Sequence, residues 1–288
     1  MIEPSSSSLW SDPEQLLTRA EQVISPGLER VSPPQALSPN GHLRVGVDLG
    51  TAYTVLVVLN EFNEPLIGEY KFAQVVRDGL VIDYIGAVDL LRAMKQRVEA
   101  KLGIRLSHAA TGFPPGVPPA ERQATANVVE AAGMVCKRLV DEPTAANDVL
   151  GLQDGVIVDL GGGTTGIAIV EDGKVVYSAD EATGGTHMSL VIAGANQIPF
   201  EDAEALKQDP AEHNRLFPVV RPVMEKMGTI IERHIRGSNA RTIVLVGGTS
   251  LFPGIDRVIE NITGLPTHVP PHSLFVTPLG IAMHDQPV

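Results

Sequence analysis

The sequence predicts an α/β fold of two similar halves around a cleft, and three observations carry that prediction. Strand-like and helix-like stretches alternate from Leu43 onward. The string "VGVDLGTAYTVLVV" from Val45 aligns without gaps on "VIVDLGGGTTGIAI" from Val156, placing Asp48 on Asp159, Gly50 on Gly161 and Thr54 on Thr165. A third glycine element, "IVLVGGTSLFPGI", follows in the second half.

Taken in order, residues 1–42 differ from the rest. "SSSS" and "SPGLERVSPPQALSPNGH" read as flexible linker. Between them, "SDPEQLLTRAEQVI" reads as a short amphipathic helix. Ser11 and Glu14 form a capping box, and Leu16, Leu17, Ala20, Val23 and Ile24 share one face. That helix either docks on its own chain or enters another protein's groove. Beyond it, "LRVGVDLG" and "AYTVLVVLN" are β-branched strands, and "GAVDLLRAMKQRVEAKLG" is a helix. "SHAATGFP" is a strand and turn, "PPAERQATANVVEAAG" a helix, and "CKRLVDEPTAANDVLG" a strand running into a helix. "VIVDL" and "TGIAIV" are strands, "FEDAEALKQ" and "VVRPVMEKMGTIIERHI" helices, "TIVLVGG" a strand and "FPGIDRVIENIT" a helix.

Composition narrows the classes. With 288 residues, 43% of them hydrophobic and 19% charged, the chain is able to bury a large core. A formal charge of -12 argues against a nucleic-acid backbone or an anionic membrane as partner. The single cysteine, Cys136, excludes an intrachain disulfide and a cysteine zinc cluster, and fits a reducing cytosol with Cys136 as a small buried hydrophobe. No apolar run reaches the length of a membrane span, and the N-terminus lacks the pattern of a secretory signal.

Gly161, Gly163 and Gly166 spell the dinucleotide fingerprint G-x-G-x-x-G, but that reading fails. A Rossmann turn opens a helix, whereas here β-branched residues and the turn "EDG" follow, so the glycines join two strands. Asp180 lies near the spacing of a ribose-binding acid, which is coincidence without that helix. No lysine follows the glycines, so a Walker A loop is absent as well. The repeat supplies a better account. Glycine and small residues let successive backbone N–H groups converge on phosphate oxygens. An aspartate at the end of each strand can hold Mg²⁺ through water. Two such hairpins facing each other would clamp a polyphosphate, and Gly247 and Gly248, which end a later strand, would let an adenine or ribose lie close to backbone.

These residues carry a resemblance. "VGVDLGTAYT", "LVDEPTAA", "VIVDLGGGTTGIAIV" and "IVLVGGTSLFPGI" resemble, in order, two phosphate loops with a connecting segment between them, then the adenosine motif, of the actin, sugar kinase and heat-shock chaperone ATPase superfamily. "DEPTAA" and "DLGGGT" look most like DnaK-type chaperones, and "VVRDGLVIDY" resembles bacterial actins of the MreB type. "VVRDGLVIDYIGAV", "SHAATGFPPG", "YSADEATGGTHMSL" and "PHSLFVTPLGIA" are similar to the EutJ family of chaperone-like ethanolamine-utilisation proteins. The resemblance covers Leu43 to about Ala282. It implies an actin-like ATPase fold, two ribonuclease-H-like lobes around a nucleotide cleft. Lobe I would run over 43–150, with a C-terminal helix returning to it near 277–288, and lobe II over 151–288, behind a flexible extension 1–42.

The resemblance also assigns roles. Gly50, Thr51, Ala52 and Tyr53 would face the β- and γ-phosphates of ATP, with Gly161, Gly162, Gly163 and Thr164 closing from the other lobe. Asp48 and Asp159 would position Mg²⁺. Glu142 would orient the attacking water; its other reading is a helix N-terminal acid favoured by the dipole. Glu204 and Lys207, one turn apart, would contact the nucleoside, or else form an exposed pair on a solvated face. Gly247, Gly248 and Thr249 would meet the adenosine. No lysine aligns with the phosphate-contacting lysine of the chaperones, and Lys71 is not in an equivalent motif, so weak Mg-dependent hydrolysis at most is expected. The chain ends shortly after the second connecting segment "VTPLGIAMH" and carries no peptide-binding domain. Expected partners are ethanolamine-utilisation enzymes or proteins of their microcompartment in the cytoplasm. The alternative is an actin-like subunit that self-assembles. A small-molecule kinase ranks last, since no acceptor site is visible. His187, in "GGTHMS", has no second ligand nearby and reads as a hydrogen-bonded histidine.

Overall fold

The computed structural model describes residues 11–28, 42–77 and 80–285, with only the backbone of Ser11 and Asp12. The serine run at 5–8, the stretch 29–41, the Ser11 hydroxyl of the expected capping box and Asp78–Gly79 of "VVRDG" lie outside the described residues.

The first half holds α1 (Ser11–Val23), β1 (Ile24–Ser25), β2 (Arg44–Leu49), β3 (Tyr53–Leu59), β4 (Pro65–Phe72), β5 (Val76–Arg77), β6 (Leu80–Val81), α2 (Tyr84–Leu102), β7 (His108–Phe113), α3 (Pro119–Ala131), β8 (Val135–Asp141) and α4 (Glu142–Leu150). The second holds β9 (Gly155–Leu160), β10 (Thr165–Glu171), β11 (Lys174–Glu181), α5 (Gly185–Asn196), α6 (Phe200–Gln208), α7 (His213–Ile235), β12 (Ile243–Val246), α8 (Ile255–Thr263), β13 (Thr267–His268) and α9 (Val276–Met283).

Strand order repeats between the halves. One sheet runs β1-β4-β3-β2-β7-β8 and the other β11-β10-β9-β12-β13. In each, a three-stranded antiparallel meander is followed by two strands in parallel. Leu49 pairs with Thr54 and Leu160 with Thr165, so the two hairpins match residue for residue. β3 is buried at six consecutive positions, as a strand covered on both faces must be.

Local signals set the helix limits. The Asp83 carboxylate accepts from Gly86 N at 2.9 Å to start α2, and Gly103 (φ 71°) ends it. Asp141 does the same for α4, accepting from Thr144 N at 3.1 Å. α7 begins six residues before the predicted start, at His213, despite Pro218 and Pro222. Leu216, Val220, Met224, Met227 and Ile231 are fully buried along it, and at about 1.5–3 kcal/mol each that burial outweighs two lost hydrogen bonds. β4 and α5 were not among the expected elements; β4 opens on Pro65 and carries Gly68, and α5 is mostly apolar or small, so neither shows its period.

α4 and α9 cross between the two sheets. Their contact is backbone to backbone: a Cβ at Gly280 would collide with the carbonyl of Ala145. The shared core there holds Ala146, Val149, Ile157, Val244, Phe275 and Leu279. α1 joins that core, with Leu17 and Ala20 fully buried, so of its two readings the chain takes docking on itself. Residues 25–28, read as linker, are instead the end of β1 and a single 3-10 turn, and β1 adds in parallel to the edge of β4. Gly68 makes room, since a Cβ there would lie 2.9 Å from Ile24 Cγ1.

Candidate functional site

The cleft between the two sheets has a volume of about 420 Å³. Every residue given a nucleotide or metal role from the sequence lines it: Asp48, Gly50, Thr51, Ala52 and Tyr53 from the first hairpin, Asp159, Gly161, Gly162, Gly163 and Thr164 from the second, with Glu142, Glu204, Lys207, Gly247, Gly248 and Thr249.

The two turns face each other at contact distance. A Cβ at Gly162 would stand 2.5 Å from Ala52 Cβ, and one at Gly163 would stand 2.9 Å from Thr51 Oγ1. Each turn is closed by the same hydrogen bond, Gly50 N to Tyr53 O and Gly161 N to Thr164 O, both 3.0 Å. Their supports differ. The carbonyl of Gly161 accepts from Gly185 N (3.0 Å) and Thr249 Oγ1 (2.8 Å), and that of Gly162 from Thr186 N (2.7 Å). The first turn has one such tie, Ala73 N to Ala52 O at 3.0 Å.

The floor of the cleft is acidic. Burial, then the charge of Asp159, pushes Asp48 up to about 7. Glu142, the first residue of α4, is held well above the usual carboxylate range by burial first, then by Asp48, Asp159, Asp180 and Asp141. Burial raises Asp159 as well, opposed by the Thr277 hydroxyl, which donates to Asp159 Oδ2 at 2.8 Å. A cluster of like charges this short of cations suits a bound cation. Among the described residues, no group of three or more His, Cys, Asp or Glu is arranged to grip a metal directly, so the donor set fits an ion held largely through water and ligand oxygens.

Glu204 and Lys207 are not an exposed pair. They form a buried ion pair of 2.7 Å, and the ammonium also donates to Gly185 O (3.1 Å) and Ser189 Oγ (2.8 Å). All three lysine donors are thus taken, and the pair braces the α5 terminus that supports the second turn. Burial lowers Lys207 while Glu204 raises it, the balance being downward; Glu204 is itself held low by Lys207, Ser189 and Gln208 against its own burial. Gln208 links Glu204 to the other hairpin, donating to Glu204 Oε1 (3.0 Å) and to Tyr53 Oη across the cleft (2.8 Å). Tyr53 meets Tyr70 and Phe72 edge-on, and burial lifts its hydroxyl to about 12.

Sequence reasoning missed Thr277, Gln208, Ser189 and Asp180 as cleft or supporting residues. Asp180 was visible as an acid near the second hairpin and dismissed with the Rossmann reading; the others lie in strings quoted above, but their roles rest on side-chain contacts that the strings do not show. His187 is hydrogen-bonded, its Nδ1 accepting from Gly184 N at 3.2 Å. Cys136 is half-buried on the edge strand β8, and burial lifts its thiol to about 11.

The family described as Hsp70 protein matches residues 83–216, and that described as cell division protein FtsA matches residues 156–280. Ethanolamine utilization protein EutJ of Salmonella typhimurium is 48% identical over 241 residues, 83% of this chain and 85% of its own; that of Escherichia coli K12 is 44% identical over 91% of this chain and 94% of its own. This chain belongs to the EutJ family. The crystal structure of EutJ from Carboxydothermus hydrogenoformans superposes with a TM-score of 0.84 at 44% identity, over 94% of this chain and 97% of that one. The EutJ fold is the actin-like ATPase fold: MreB5 of Spiroplasma citri, at 21% identity, shares it with a TM-score of 0.66 over 84% of this chain and 95% of that one. Families of this fold bind nucleotide with a divalent metal. Among the described residues of this EutJ-family chain, no helix is long and apolar enough to cross a membrane.

Proposed function

We propose that this chain binds Mg-ATP in the cleft and works as a chaperone-like accessory protein of ethanolamine utilisation in the cytoplasm, serving its enzymes or the assembly of their microcompartment. One observation carries the nucleotide reading. Two Asp-Leu-Gly hairpins, in identical register on two sheets of the same topology, present their glycine turns to each other across one cleft. Membership of the EutJ family supports the pathway.

In this reading the turns Gly50–Tyr53 and Gly161–Thr164 face the phosphates from opposite sides, offering backbone N–H groups beyond those of Gly50 and Gly161, which close the turns. Asp48 and Asp159 hold Mg²⁺ through water, and the ion supplies charge neutralisation at the phosphates. Gly248 and Thr249 flank the nucleoside side of the cleft, and Lys207 acts there through Glu204, whose carboxylate it fixes. Glu142 orients the attacking water. Burial, then Asp48, Asp159, Asp180 and Asp141, raises its carboxyl, and a cation at Asp48 and Asp159 would offset the part that comes from their charges. The sheets act as lobes whose relative angle follows the bound nucleotide, and a partner reads that angle. Isothermal titration tests the core of this: saturable binding of Mg-ATP is expected, and the absence of both heat and a thermal shift at millimolar Mg-ATP would overturn it.

A further inference from the structure

The two cleft aspartates are equivalent in sequence and register but not in surroundings. Asp159 is held from two sides. Its Oδ2 accepts from the Thr277 hydroxyl at 2.8 Å, and Thr277 is 4% exposed at the start of α9. Its Oδ1 lies against the backbone of Gly247, where an added Cβ would collide with it. Gly247 has φ 83°, and its own N–H donates to Ser273 O at 3.1 Å, so that wall is fixed. The glycine therefore serves as the slot for a carboxylate rather than only as clearance for a nucleoside. Asp48 has no hydroxyl clamp of this kind among the described contacts.

We propose that Thr277 is the positioning residue that presets Asp159 toward the divalent cation of the bound nucleotide, working with the Gly247 slot. This rests on the Mg-nucleotide reading and deepens it: the second hairpin supplies the oriented carboxylate, and α9 sets the orientation. A carboxylate already in its working rotamer loses no side-chain freedom when the ion arrives. The clamp also ties metal engagement to α9, the helix that crosses α4 between the sheets.

The test is titration of the full chain with ADP in excess Mg²⁺ and with ADP in a chelator. Thr277→Val, of the same shape without the hydroxyl, is expected to lose about tenfold in Mg-ADP affinity while metal-free ADP stays within about twofold. Thr277→Ser restores the wild-type value. Electron paramagnetic resonance of the Mn-ADP complex adds a readout that mere loosening of the fold would not mimic: narrow lines in wild type and Thr277→Ser, broadened in Thr277→Val. If Thr277→Val does not fold, Thr277→Ala takes its place in both assays. Unchanged Mg-ADP affinity, or equal loss with and without metal, overturns the proposal. A wild-type chain that binds no ADP in either buffer instead sinks the nucleotide reading, and this inference with it.

Discussion

The two hairpins, 45–58 and 156–169, share sequence pattern, register and closing hydrogen bond, yet one is braced and the other nearly bare. The second turn is tied to α5, to Thr249 and, through Asp159, to α9. The first reaches its surroundings mainly through Ala73 and the Tyr53–Gln208 bridge. A duplicated device need not be duplicated in stiffness. One half is a preset anvil, and the other is free to adjust to what lies on it.

The comparison can be broken at the brace. Lys207→Met leaves the buried Glu204 carboxylate without its counter-ion, held only by Ser189 and Gln208, and removes one donor to Gly185 O. A loss of about 3 kcal/mol in unfolding free energy is expected, read by chemical denaturation, with amide exchange quickening at Gly161–Gly163 and not at Gly50–Tyr53. Equal quickening in both turns would erase the asymmetry.

Next in size is Gly162→Val. Its branched side chain meets Ala52 and drives the turns apart, so Mg-ATP affinity falls at least about a hundredfold, about 2.7 kcal/mol, in titration. Ala52→Gly, at the facing position, stays within a few-fold of wild type.

The acidic floor gives a pH effect. Asp48 titrates near 7 in the fold against an ordinary value of 3.8, so folding favours its protonated form. That stabilisation is full below about pH 4 and is lost as pH rises through 7. The metal-free protein therefore melts at lower temperature at pH 8 than at pH 5.5 on this account. Asp48→Asn makes that decline shallower, with Glu142 and Asp159 still contributing to it, and is more stable than wild type at pH 8. A wild-type profile that rises over that interval, with Asp48→Asn unchanged, would contradict it.

The finest test compares matched threonines. Thr165 Oγ1 donates to Thr183 O at 2.6 Å, whereas the buried Thr54 Oγ1 has no partner among the described residues. Thr165→Val is expected to cost about 1 kcal/mol and Thr54→Val to be neutral or stabilising, both by thermal denaturation. The same sign at both positions would mean the lobes are more alike than their contacts indicate.

What the sequence shows of this molecule is what lies within one stretch of chain. The hairpin repeat, the α/β order and the glycine elements are local patterns, and the actin-like fold follows from them. β4 escaped because Pro65 and Gly68 interrupt its pattern, and Gly68 is explained by the Leu56 carbonyl and by Ile24, forty-four residues earlier in the chain. In the cleft, the residues were legible but several of their neighbours were not. Lys207 looks like a contact residue until Gly185 and Ser189 are seen to saturate it. Gly247 looks like clearance for a nucleoside until Asp159 is seen in its slot. Thr277 falls in the second connecting segment, but nothing in that string points its hydroxyl at Asp159.

The strand pairing at Ile24–Ser25 bears on how this chain should be handled at the bench. Trimming the first forty residues as a disposable leader would strip a strand from the larger sheet and uncover the oily seat of Leu17 and Ala20. A shortened protein that clumps would then be reporting a wound to the sheet, not the removal of a recognition tag.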